Sequence, residues 1–109
     1  LLYAEAILAG GDSTTDTRAI EAFNQVRERA GLEEVVNLTK QQLLEERRVE
    51  FTFENQRLYD LIRFNEADNV LGAHSNRNGF LYTSDKIYLP IPQRELDNLP
   101  GVYNQNNGY

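Results

Sequence analysis

The sequence predicts a mainly α protein, helical hairpins followed by an irregular, loop-rich C-terminal tail with at most short strands. Three observations carry this expectation. Apolar residues recur at helical spacing through the first half of the chain. A helix-opening signature stands at Thr39-Lys40-Gln41-Gln42. Beyond Phe64, turn residues and scattered aromatics replace that periodicity.

Leu1, Ala4 and Leu8 recur at helical spacing, and Gly10-Gly11 then supplies the backbone freedom of a helix end. No cap residue precedes Leu1, so this helix reads as truncated at its N-terminus. Asp12 to Thr17 offers several N-caps for a second helix, in which Ala19, Phe23, Val26 and Ala30 share one face before Gly31 closes it. Two amphipathic helices with a short polar link make an αα-hairpin, whose Ala and Phe spacing is loosely tetratricopeptide-like.

In the third helix the Thr39 hydroxyl and Gln42 amide satisfy exposed amides at its start. Leu43, Phe51, Leu58 and Leu61 then fall in one sector with Arg47 and Glu54, while Val49 and Phe53 lie opposite. That predicts a central helix covered on more than one face. Asn55 tolerates the left-handed conformation, so a break is expected near it, with a shorter helix from about Arg57 to Phe64. Asn65 to Asn78 reads as loop. Gly79 to Leu89 allows one or two short extended segments, and Pro92 opens a short helical turn through Gln93 to Leu96.

The 109 residues are read as a single unit, 1–109. A formal net charge of −6 disfavours nonspecific nucleic-acid binding, which needs a concentrated basic face. Metal binding lacks support, because His74 is the only histidine, Cys is absent and no Asp-x-Asp-x-Asp loop occurs. Gly10-Gly11 lacks the Lys-Ser/Thr of a phosphate loop. No cofactor is implied.

Glu45, Glu46, Glu50 and Glu54 offer the paired carboxylates of a glycosidase, yet each has an Arg within a turn. Such a neighbour lowers the carboxyl pKa, opposite to what an acid catalyst needs. Arg47-Arg48 with Arg57 and Arg63 present an anion-binding alternative, but interleaved acids favour a structural ion network. Tyr82, Tyr88, Tyr103 and Tyr109 suit either sugar stacking or, more commonly, anchoring of the tail. The network is assigned to Arg47, Glu50, Glu54, Arg57, Asp60 and Arg63. In a continuous helix, Arg47 pairs with Glu50 and Arg57 with both Glu54 and Asp60, whereas a kink redistributes the pairs. Loss of Glu54 or Arg57 is then expected to unfold the domain.

The string Glu46-Arg47-Arg48-Val49-Glu50-Phe51-Thr52-Phe53-Glu54-Asn55-Gln56-Arg57-Leu58-Tyr59-Asp60-Leu61-Ile62-Arg63 closely resembles the signature of SusD/RagB-type nutrient-binding outer-membrane lipoproteins. Ala4-Glu5-Ala6 followed by Asn24-Gln25-Val26-Arg27-Glu28-Arg29-Ala30-Gly31 is similar to the family's helix hairpin, and Leu89-Pro90-Ile91-Pro92 with Glu95 and Gln105-Asn106-Asn107-Gly108-Tyr109 to its C-terminus. Asn55 stands where a Gly is usual, a substitution that a left-handed cap allows. The resemblance implies a tetratricopeptide-like scaffold, of which this chain is the C-terminal portion. It implies a noncatalytic, surface-exposed lipoprotein of the cell outer membrane that captures a glycan or oligosaccharide, or another nutrient. The implied partner is a TonB-dependent SusC-like transporter, and membrane attachment is implied only through an N-terminal lipid anchor that this chain lacks. A tetratricopeptide-like module binding protein or peptide is the alternative.

Overall fold

A computed structural model describes residues 1–109 and divides them into two compact units, 1–64 and 65–109. The first unit comprises α1 (Leu2–Leu8), β1 (Ser13–Thr14), α2 (Thr17–Arg29), β2 (Leu38–Thr39), α3 (Lys40–Glu50) and α4 (Arg57–Arg63). In the second lie α5 (Ala67–Asn78), a 3₁₀ turn (Ser84–Ile87) and α6 (Gln93–Asn98). The chain is mainly helical, with one two-stranded sheet.

In the first unit α1 packs on α2, and α3 on both α1 and α4. Asp16 caps α2, its carboxylate accepting from the Arg18 backbone N–H at 2.9 Å. At the other end the Gly31 and Leu32 N–H groups donate back to the Glu28 and Arg27 carbonyls, with Gly31 at φ 70°. This pair of bonds is the Schellman closure that a left-handed glycine permits. Thr39 and Gln42 form the expected reciprocal capping box on α3. Ala4, Leu8, Ala19, Phe23, Leu38, Leu43, Leu44, Leu61 and Phe64 form the core. Complete burial of a ring such as that of Phe23 contributes about 1.5–3 kcal/mol.

Several local expectations are corrected. The residue that closes α1 in the left-handed region is Ala9 (φ 49°), one position before the glycine pair. The strands lie not in 79–89 but at Ser13↔Thr39 and Thr14↔Leu38, antiparallel. A two-residue ladder leaves no alternation to read, and these segments pair because α1, α2 and α3 bring them together. Asn55 is left-handed (φ 58°), but α3 already ends at Glu50, and Phe51 to Asn55 form a turn in which Phe53 also has positive φ (74°). Val49 is 60% and Phe53 98% exposed, so nothing within residues 1–109 covers the second face expected of a central helix.

The second unit overturns the loop expected at 65–78, which is α5, closed by Gly79 at φ 72°. Its buried positions are Ala67 and Ser75, too small and polar to register as an apolar stripe. Ser75 links the helix to the following segment: its hydroxyl donates to the Phe80 carbonyl and accepts from the Tyr82 N–H. Tyr82 donates its hydroxyl proton to Asp68 at 2.8 Å, and burial with this bond pushes the phenol up to about 12. Pro92 precedes α6 as its sequence implies. The Gln105 amide clamps Ile91, donating to its carbonyl and accepting from its N–H at 2.9 and 2.8 Å.

Candidate functional site

Of the six charges singled out in the sequence, Arg47, Asp60 and Arg63 come together where α4 packs on α3. Arg47 sits on the inner face of α3, 4% exposed, and Asp60 on the inner face of α4, 1% exposed. Because the chain reverses between them, the Arg47 guanidinium donates to the Asp60 carboxylate at 2.8 Å. Arg63, one turn on, donates to the same carboxylate oxygen at 2.8 Å and to Glu5 of α1 at 2.9 Å. Glu5 also lies 3.7 Å from Arg47 Nη1, a Coulombic contact too long for a hydrogen bond. Two cations thus face two anions across three helices.

The cluster is incompletely saturated, since Arg47 Nε and Nη1 and Asp60 Oδ2 have no hydrogen-bond partner. Arg47 also lies over the Phe51 ring at 4.9 Å, which adds a cation–π contact. On the exposed side, the Glu5 carboxylate raises the Arg63 pKa above its ordinary value, with Asp60 adding to it.

The remaining assigned residues behave differently. Glu50 pairs with Arg29 of α2 rather than with Arg47. Glu54 is exposed on the turn and has no ion pair. Arg57 donates to the Leu44 carbonyl at 3.2 Å and makes no ion pair, and burial lowers its pKa while Glu45 opposes that shift. Ending α3 at Glu50 therefore leaves Glu54 out of reach and replaces neighbouring pairs with contacts across the turn.

The participation of Glu5, and the Arg27–Glu46 bridge at 3.0 Å, were not legible, because no local spacing connects residues so far apart. For Glu5 the available signal was a carboxylate beside the apolar Ala4 and Leu8 positions of α1.

Of the four acids offered for glycoside hydrolysis, Glu45, Glu46 and Glu50 are engaged by arginines and Glu54 is not. Hydrogen bonding to Arg48 holds the Glu45 carboxyl below its ordinary pKa, Glu46 faces Arg27, and Glu50 faces Arg29. A carboxyl held low in this way, as that of Glu45 is, makes a poor proton donor. His74 is exposed on α5, beside Phe80 and Asn78, and no group of acids, histidines or cysteines is arranged to hold a metal ion. No helix is long and apolar enough to cross a membrane.

Beside the ion cluster a cavity of about 460 Å³ opens on the α3–α4 turn, lined by Arg47, Arg48, Phe51, Phe53, Asn55 and Arg57 among others. Its size falls within the usual range for small-ligand sites.

A mainly helical scaffold braced by the buried Arg47–Asp60 pair defines the architectural class of the chain. Residues 1–109 match the SusD family throughout, and the chain belongs to that family. It is 40% identical over 62 residues to a SusD-like protein of Bacteroides ovatus, a stretch covering 57% of this chain and 11% of that protein. Its fold is similar to that of surface glycan-binding protein A from Bacteroides thetaiotaomicron, with a TM-score of 0.74 and 40% identity. That alignment covers 95% of this chain and 22% of the solved one. The chain thus spans about a fifth of the solved relative and, in its match, about a tenth of the curated one.

Proposed function

We propose that this chain is the C-terminal supporting portion of a noncatalytic protein that captures glycans at the bacterial cell surface. The whole protein passes its ligand to a TonB-dependent SusC-like transporter, and a lipid anchor holds it to the outer membrane. The observation that carries the reading is family membership across residues 1–109, joined to 40% identity with a solved surface glycan-binding protein. The ion cluster supports the same role, because its paired guanidinium and carboxylate groups brace helices.

Glycan-array binding by the whole protein, run beside a peptide pull-down, tests this function. Glycan retention without peptide retention is expected. Peptide affinity in the absence of glycan affinity overturns it in favour of a tetratricopeptide-like peptide-binding module. Release of reducing sugar, abolished by Glu45→Gln or Glu46→Gln, overturns the noncatalytic assignment.

A further inference from the structure

Three guanidinium groups line the cavity on the α3–α4 turn, and two are already neutralised. Arg47 is held by Asp60 at 2.8 Å, and Arg48 grips both carboxylate oxygens of Glu45 from Nε at 2.9 Å. Arg57 is the exception. It is half-buried, engages a single neutral carbonyl at 3.2 Å and has no carboxylate partner, which leaves most of its donors unfilled. Desolvation disfavours such a charge until an anion compensates it.

The rest of the lining suits more than a bare anion. Phe51 and Phe53 contribute aromatic surface, and Asn55, whose side-chain amide makes no hydrogen bond within the protein, contributes two donors and an acceptor. The backbone there is unusual, with Phe53 at φ 74° and Asn55 at φ 58°. Positive φ at a bulky aromatic is strained, and such residues concentrate at functional sites. The turn holds Phe53 98% exposed at the cavity, where a hydrophobic ring gains nothing by packing inside the unit.

We propose that this cavity is a subsite for an acidic sugar, a uronic acid or similar carboxylated residue within a glycan. The planar carboxylate meets the Arg57 fork, the apolar face of the sugar ring lies on Phe53, and ring hydroxyls bond to Asn55. A guanidinium fork matches a carboxylate in two parallel bonds, which sets the orientation as well as the affinity. This inference deepens the glycan-binding reading and rests on it.

Saturation-transfer NMR on the whole protein tests it, with methyl β-D-glucuronide as probe and methyl β-D-glucoside and inorganic sulfate as comparators. The glucuronide is expected to bind more tightly than the glucoside. Arg57→Gln, which keeps a donor toward Leu44, is expected to weaken it about tenfold or more. Asn55→Gly suits a backbone at φ 58° and so preserves the turn, and it is expected to weaken the glucuronide about threefold or more.

Glucuronide affinity unchanged in both variants overturns the subsite. Sulfate displacing the glucuronide with equal affinity overturns the sugar assignment and leaves a bare anion site. Neutral glycans bound by the whole protein, with no glucuronide binding, overturn the acidic subsite alone. Failure to bind any glycan, neutral or acidic, overturns the functional reading and this inference with it.

Discussion

Arg47 on α3 and Asp60 on α4 are joined by a 2.8 Å hydrogen-bonded ion pair with both side chains at least 96% buried. They lie thirteen positions apart in sequence, so the contact exists because the chain turns at Phe51 to Asn55. Arg63 and Glu5 extend the pair toward solvent, and through Glu5 the two later helices are tied to α1. Glu54 stands outside this arrangement, so its replacement by Ala is expected to change the melting temperature little, unlike replacement of Arg47 or Asp60.

The capping box gives a local test. Thr39 and Gln42 satisfy each other's backbone amides at the start of α3. Thr39→Ala is expected to cost about 1 kcal/mol, measured by urea denaturation with an unchanged m-value.

The turn gives a test of opposite sign. Phe53 is almost wholly exposed at φ 74°, a conformation costing a side chain about 1–2 kcal/mol that glycine avoids. After the extra unfolded-state entropy of glycine, Phe53→Gly is expected to stabilise the protein by about 0.5–1 kcal/mol in equilibrium unfolding. Destabilisation would mean that the ring makes a contact that its exposure denies. The same substitution removes the aromatic platform of the acidic-sugar subsite and weakens glucuronide binding, so stability and binding move in opposite directions.

Acid should weaken the cap at the α2 N-terminus. Hydrogen bonds from Arg18 lower the Asp16 pKa to about 2, so the folded chain favours its carboxylate. Stability from this group is complete above its ordinary pKa of about 3.9 and is lost as pH falls through about 2. The difference in melting temperature between the native chain and Asp16→Asn should be constant above pH 4 and shrink below it. A difference that persists unchanged at pH 2 would contradict the assignment.

What the sequence disclosed depended on how local each cause was. Thr39 with Gln42, Gly31 and Pro92 act through neighbouring atoms, and the elements they bound appeared where expected. Asn55 signalled a left-handed residue, but that residue alone did not reveal that α3 had stopped five positions earlier. α5 escaped notice because its buried positions are alanine and serine, and its support comes from Ser75 and Asp68 reaching past Gly79. The acidic and basic composition of the α3–α4 segment was legible, but its pairing was not. Partners such as Glu5 and Arg63, 58 positions apart, meet only after the helices have packed.

The account stands on Arg47 and Asp60 acting as one buried unit, and a double-mutant cycle in the whole protein measures that directly. Arg47→Met and Asp60→Leu are each expected to cost up to roughly 3–5 kcal/mol, because the first leaves Asp60 with the half-exposed Arg63 alone and the second leaves Arg47 with only the more distant Glu5. The double variant should cost less than the sum by more than about 1 kcal/mol, as neither charge then remains. Strictly additive losses would show that the two residues stabilise the protein independently, contrary to the geometry.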